Sequence, residues 1–296
     1  MTRLVAILGP TATGKSALAM DVAERTGADI LSVDSMQVYR GMDIGTAKPT
    51  REERRRIAHH MVDVADPAEN FTVARFRREA RTALGATRAP VVLIVGGSGL
   101  HFRSIVDPMR FRPTDSRVRE ELNGADPRDL VSELRAVDPG AGEVMDLSNP
   151  RRVIRALEAW RIAGIKPTEW AATPESEDYR RYEAELEFCG IGVDRPDIGS
   201  TVSRRLDDMR RRGFLSEVER LAPRLGPTAV RALGYRELLE VIEGRASPDE
   251  AFSAIERNTH RLVKRQRTFF RRDPRLRWFD ARQPDVADMM IKEAGL

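Results

Sequence analysis

The chain has 296 residues, of which 41% are hydrophobic and 32% charged, with a formal net charge of +4. That length suits one sizeable domain, or a domain carrying an inserted lobe, and the composition is that of a globular protein. No apolar run approaches the length that spans a bilayer, and the lone cysteine, Cys189, excludes an internal disulfide or a cysteine zinc site and fits a reducing cytoplasm.

Residues 4–8 form a short, wholly apolar run that predicts a buried parallel strand. The apolar start from Met1 is too short for a signal sequence, and a glycine-rich motif follows it at once. A helix is expected over residues 15–26, with Gly27 as its stop. Residues 30–33 read as a second strand ending at Asp34, residues 74–84 have helical spacing, and residues 91–95 read as a third strand closed by Gly96-Gly97-Ser98-Gly99. This alternation predicts a parallel α/β sheet. From residue 112 the apolar positions fall at helical spacing, so residues 112–185 are expected to be an inserted helical domain, with Trp160 and Trp170 in its core. Residues 188–193 look like a strand returning to the sheet. The remainder reads as helical, interrupted at Gly213, Gly226-Pro227 and Gly244. The core is therefore expected to comprise residues 1–111 and 186–296.

Gly9-Pro10-Thr11-Ala12-Thr13-Gly14-Lys15-Ser16 matches G-x-x-x-x-G-K-[ST] in full, with an apolar strand before it and a helix after it. Such a loop turns backbone N–H groups towards a phosphate, and the following helix presents its positive end to the same anion. Lys15 adds a point charge, and the Ser16 hydroxyl is a ligand for Mg²⁺. Parallel strands joined by right-handed crossovers point their carboxyl ends the same way, and ligands bind at that edge. Chain topology alone thus brings Lys15, Asp34 and Ser98 towards one mouth. Asp34 there has three readings: a magnesium ligand, an acceptor of a nucleophile's proton, or a local cap on the next turn. A dinucleotide-binding reading is poorer, because the loop lacks the G-x-G-x-x-G spacing.

Between Arg257 and Arg277 there are nine Lys or Arg residues and one acid, Asp273. Leu262, Phe269 and Phe270 give this segment a core face, which leaves Arg261, Lys264, Arg265, Arg271 and Arg272 off it. A polyanionic partner explains the clustering; a solvated face in an arginine-rich chain is the plainer account. Arg151, Arg152 and Arg155 divide between the same two readings. His59 and His60 are adjacent, which on a strand sends them to opposite faces and disfavours a shared metal.

Several segments together resemble the tRNA dimethylallyltransferase family: the phosphate loop; Val33-Asp34-Ser35-Met36-Gln37-Val38-Tyr39-Arg40-Gly41-Met42-Asp43-Ile44-Gly45-Thr46-Ala47-Lys48-Pro49; His59-His60-Met61-Val62-Asp63; Val95-Gly96-Gly97-Ser98-Gly99-Leu100; Asn149-Pro150-Arg151-Arg152-Val153-Ile154-Arg155-Ala156-Leu157-Glu158; Arg231-Ala232-Leu233-Gly234-Tyr235; and Lys264-Arg265-Gln266-Arg267-Thr268-Phe269-Phe270-Arg271. They span nearly the whole chain, and the segment around Asp34 is the most specific. The resemblance implies a P-loop nucleotide-kinase-like core and Mg²⁺-assisted transfer of a dimethylallyl group from dimethylallyl diphosphate. The acceptor would be the exocyclic amine of the adenine 3′ of the anticodon, the enzyme a cytoplasmic monomer that grips the anticodon stem-loop of tRNA. It further implies that Asp34 is the general base and that Thr11 contacts the diphosphate and the reaction centre. Asp34, Ser35, Met36, Gln37, Ser98 and Arg119 would contact tRNA, Arg231 would contact an anion or the tRNA, and Lys264, Arg265 and Gln266 would grip the stem.

The chain departs from the family pattern at Ser98, where threonine is commoner, at His101, where tyrosine is usual, and at Phe71-Thr72, in place of a tyrosine-serine pair. The rival readings are an adenylate isopentenyltransferase acting on free AMP, ADP or ATP, a small-molecule P-loop kinase closing Arg110 or Arg112 over ATP, and an RNA-binding protein without activity.

Overall fold

The computed structural model describes residues 2–296; Met1 lies outside them. Six strands, β1 (Arg3–Leu8), β2 (Asp29–Ser32), β3 (His59–His60), β4 (Val91–Gly96), β5 (Cys189–Asp194) and β6 (Leu276–Asp280), form one sheet in the order β3-β2-β4-β1-β5-β6. Every pairing is parallel. Fifteen α-helices accompany them: α1 (Lys15–Thr26), α2 (Arg51–Arg56), α3 (Val73–Ala86), α4 (Gly99–Val106), α5 (Ser116–Gly124), α6 (Pro127–Val137), α7 (Ala141–Val144), α8 (Pro150–Ala163), α9 (Pro167–Ala171), α10 (Pro174–Arg181), α11 (Ile198–Arg211), α12 (Phe214–Leu221), α13 (Tyr235–Ile242), α14 (Pro248–Arg271) and α15 (Val286–Ala294). Among the described residues no helix is long and apolar enough to cross a membrane.

The apolar runs follow from burial on both faces. Along β1, Ala6 and Leu8 join one core layer with Val92 and Ile94, whereas Val5 and Ile7 join the opposite layer with Leu93 and Val95. Successive side chains leave a strand on opposite sides, so a sheet covered twice needs apolar residues throughout. Helix α1 stops at Gly27, whose left-handed φ of 68° lets its N–H reach the Ala23 carbonyl.

Two strands escape the sequence reading. Residues after 193 were expected to be helical, yet Leu276–Asp280 pairs with β5 as an edge strand. Leu276 and Trp278 pack against one core layer and Phe279 joins the other, with Arg277 exposed between them, and a run of five residues is too short to stand out from the helix before it. Strand β3 is two residues long and carries His59 and His60 beside β2.

The chain divides into two compact units, residues 1–106 with 186–296, and Asp107–Glu185. In the first unit the Leu186 N–H donates to the Val106 carbonyl at 3.1 Å, so its two interrupted ends are clasped. The second unit, which begins at Asp107 and not at 112, has its own core of Leu122, Leu130, Leu134, Ala141, Val153, Ala156 and Leu157. Trp160 packs against that core. Trp170 does not join it and instead lies under the Arg112 guanidinium, 5.2 Å from the ring centroid.

In the first unit, the long connection from β2 to α2 is held by two buried charges. The Glu217 carboxylate accepts from the backbone N–H groups of Asp43, Ile44 and Gly45 at 2.8–3.0 Å, and from the Tyr235 hydroxyl. The Lys48 ammonium donates to the Tyr39 carbonyl and to Asp43 and Asp63 at 2.6–2.7 Å. Truncating Glu217 would strand three N–H groups, each costing about 1–3 kcal/mol when left buried without a partner. Glu217→Ala should therefore lower the unfolding free energy by roughly 3–5 kcal/mol, read from urea denaturation with an unchanged slope.

Candidate active site at the carboxyl edge of the sheet

The phosphate loop leaves β1 through Gly9, at φ 152°. A Cβ there would stand 2.1 Å from the Val193 carbonyl oxygen of β5, so only glycine lets the loop rise this close to its neighbour. The loop is closed on itself. The Lys15 ammonium donates to the Pro10 carbonyl and to the Thr13 hydroxyl, and Thr13 also donates to the Pro10 carbonyl at 3.0 Å. Lys15 is buried, and loss of solvation, reinforced by the nearby Arg205 charge, lowers its pKa to about 7 against the pull of Asp34 and Asp194. An ammonium so placed gains from an arriving anion.

Asp34 follows β2 at the same edge. Its Oδ1 accepts from the Met36 N–H at 2.8 Å and from the Gln37 N–H at 3.3 Å. The local capping role is therefore real, yet it occupies one oxygen only. The second makes no hydrogen bond among the described residues and is left for a ligand. Ser98 stands opposite. Its N–H donates to the Val33 carbonyl at 3.2 Å, and its hydroxyl is 2.7 Å from the Nδ1 of His101. His101 is buried edge-on against Phe76, and burial lowers its pKa to about 4, so the ring is neutral at physiological pH. The imidazole thus supplies a hydrogen bond to Ser98 where the family pattern has a phenol.

Arg205 was not singled out by the sequence reading. It projects from α11 on the same stripe as the buried Val202 and Met209, so a lone arginine within an apolar stripe was the available signal. Its guanidinium donates to the Thr11 hydroxyl at 3.1 Å and forms no ion pair among the described residues. Loss of solvation lowers its pKa, with Asp34 opposing.

Two cavities meet here. One, of about 450 Å³, is walled by Val202, Leu206, Met209, Phe214, Ile255 and Phe269, and it also reaches Ser35, Met36, Ser98, Arg231 and Arg265. The other, of about 500 Å³, runs past Ala12, Gly14, Lys15 and Ser16 towards His59. Thr11, Asp34, Thr46, Gly97, Arg205, Leu262 and Gln266 line both and form the neck between them.

The remaining singled-out residues fall elsewhere. Gln37 spends its amide internally, accepting from Ser32 at 2.8 Å and donating to the Thr46 and Ala47 carbonyls. Lys264 is exposed on α14 and lines neither cavity. In the other unit, Arg119 is paired with Glu158, a fully buried carboxylate that also binds Arg155. His59 Nδ1 lies 2.8 Å from the Ile57 carbonyl, and His60 Nε2 lies 3.0 Å from Asp29. The buried residues of α14 are Ala251, Phe252, Ile255, Val263 and Phe270; Phe269 packs against the core as expected and also walls the first cavity, which Leu262 lines as well. Trp278 stacks under Arg271 at 3.9 Å.

The arginines of this edge sort by partner. Arg267 and Arg271 are paired with Asp194 at the end of β5. Arg205, Arg231, Lys264 and Arg265 have no carboxylate partner among the described residues. Cations gathered without acids mark where an anionic ligand would supply the missing charge.

The family model described as IPP transferase matches residues 37–273, and one described as isopentenyl transferase matches residues 2–64. The tRNA dimethylallyltransferase of Bifidobacterium longum subsp. infantis is 41% identical, the alignment covering 97% of this chain and 89% of that protein. That of Kocuria rhizophila is 43% identical, covering 96% and 91%. Among solved structures, the full-length tRNA isopentenylpyrophosphate transferase of Bacillus halodurans is 32% identical and superposes with a TM-score of 0.71 over 100% of this chain and 97% of that one. With its parallel sheet, phosphate loop and distinctive Asp34 segment, the chain belongs to the IPP transferase family.

Proposed function

We propose that this protein transfers a dimethylallyl group from dimethylallyl diphosphate to the exocyclic amine of the adenine 3′ of the anticodon in tRNA, releasing diphosphate. One observation carries the reading: where the two cavities meet, Asp34 keeps one oxygen free of hydrogen bonds near a buried Lys15 and Arg205, neither of which forms an ion pair among the described residues. The reaction needs both halves. An adenine amine is a weak nucleophile because its lone pair is delocalised, and diphosphate departs with growing negative charge.

In this reading the diphosphate lies against the phosphate loop, with Lys15 and Arg205 on its oxygens and the Thr11 hydroxyl beside it. The hydrocarbon tail points through the neck towards the apolar wall of the first cavity. The target base, flipped out of the anticodon loop, enters that cavity beside Ser98. The amine nitrogen attacks the tail's first carbon as that carbon's bond to oxygen breaks. The bonding pair leaves with the diphosphate, and the amine proton passes to the free oxygen of Asp34. Arg231 and Arg265 stand at the rim to take the backbone phosphates of the RNA.

Magnesium fits this arrangement with few protein ligands. The Ser16 hydroxyl is exposed at the first turn of α1 and makes no hydrogen bond among the described residues, and no cluster of three or more His, Cys, Asp or Glu that could hold a metal is present among them. An ion would be held by Ser16, substrate oxygens and water, as Mg²⁺ commonly is. Bound there, it would neutralise charge developing on the leaving diphosphate.

Three measurements test the proposal. Asp34→Asn keeps the acceptor for the Met36 and Gln37 N–H groups and removes only the base. Single-turnover transfer to an anticodon stem-loop should fall by about 10²-fold or more, with stem-loop affinity unchanged; undiminished transfer rejects the assignment. Transfer to AMP but not to the stem-loop would point instead to an adenylate isopentenyltransferase.

A second test uses pH. Lys15, depressed to about 7, is deprotonated above that pH in the free protein, and an anion restores its charge. Diphosphate binding at pH 8 should therefore take up a proton, and affinity should fall as pH rises through 7. Calorimetry in buffers of different ionisation enthalpy reads both.

In the third, Arg265→Ala should weaken stem-loop binding and reduce the slope of log affinity against log salt by about one.

A further inference from the structure

Gln266 sits on the inner side of α14, three residues after the buried Val263 and four before the buried Phe270, whereas its neighbours Lys264 and Arg265 face solvent. An amide on that stripe needs partners, because burying a polar group without hydrogen bonds is costly. It has two. Its Oε1 accepts from the Thr11 N–H of the phosphate loop at 2.8 Å, and its Nε2 donates to the Gly97 carbonyl at 2.8 Å. An N–H on one side and a carbonyl on the other allow only this orientation of the amide. Gly97 is shaped to the contact: a Cβ there would stand 2.6 Å from the Gln266 Nε2.

One side chain thus bridges the loop after β1 and the loop after β4, which carries Ser98. It does so from the helix that presents Lys264 and Arg265 outward. We propose that Gln266 is a positioning residue and not an RNA contact. It sets the spacing between the phosphate loop and the Gly97–Ser98 loop, and it makes the diphosphate site depend on the seating of α14. This rests on the transfer reaction proposed above and deepens it, because it links the sites of the two substrates. The link is a backbone one. The Thr11 N–H is held by the helix, so a shift of α14 that carries Gln266 with it alters the donor set of the loop.

The test separates this role from RNA contact. Gln266→Met keeps the length and packing of the side chain and removes both hydrogen bonds. In the full-length chain, with inorganic diphosphate and Mg²⁺ as one probe and an anticodon stem-loop as the other, diphosphate affinity should fall about ten-fold, the scale of losing one or two hydrogen bonds. Stem-loop affinity should stay within about two-fold, since no phosphate contact is lost. Lys264→Ala should give the opposite split. Gly97→Ala displaces the same amide from the other side and should reproduce the Gln266→Met pattern, which guards against a folding defect in either variant. Weakened stem-loop binding with diphosphate affinity intact, or no change in either, overturns the proposal. Wild-type protein that binds both probes but transfers no prenyl group would instead overturn the functional reading and leave this split measurable.

Discussion

A parallel sheet covered on both faces leaves polar chemistry only its ends. In this protein β1 lies between β4 and β5, with the side chains from Val5 to Leu8 divided between two apolar layers, and nothing along that stretch can hold a charge at tolerable cost. The backbone emerges at one edge, where Gly9 rises against the Val193 carbonyl. Because every strand runs the same way, the phosphate loop, Asp34 and Ser98 emerge beside one another at that edge. The closeness of three strands creates the site, and the side chains then specify its chemistry.

Charge is distributed at that edge with economy. Where a loop must be held, a buried charge is given all its partners: Glu217 takes three backbone N–H groups, and Lys48 reaches two carboxylates and a carbonyl. Where α14 must be anchored, Arg267 and Arg271 are tied to Asp194. The cations lining the cavities are treated differently. Lys15 is capped only by groups of its own loop, and Arg205 by a neutral hydroxyl. The first group builds the frame, and the second leaves a deficit of negative charge that an anionic ligand is suited to fill.

Much of this was legible in the sequence because it rests on local rules. The apolar runs of β1, β2 and β4, the loop motif and the Gly27 stop are each set by neighbours in the chain, and topology then carries Asp34 and Ser98 to the phosphate loop. What escaped depends on distant partners. Arg205 matters because α11 packs where its guanidinium meets Thr11, 194 positions away, and no spacing within α11 announces that. Gln266 and Gln37 read as RNA contacts by resemblance, yet the Gln266 amide bridges the backbone of two loops and the Gln37 amide binds the Ser32 hydroxyl and two carbonyls. Strand β6 was hidden because it is five residues long and the exposed Arg277 interrupts its apolar run. The bond between His101 and Ser98 likewise depends on burial, which keeps the imidazole neutral beside the hydroxyl.

The clasp between Val106 and Leu186 frees the sheet from the length of what lies between them. Closing the core there turns residues 107–185 into an excursion whose two stems are already fastened together. The entropy of closing a flexible excursion grows only with the logarithm of its length, and this one carries its own apolar centre. Lengthening, trimming or exchanging it places little burden on the sheet. The lobe is therefore the part whose size the sheet constrains least, whereas at Gly9 even one added carbon would collide with the neighbouring strand.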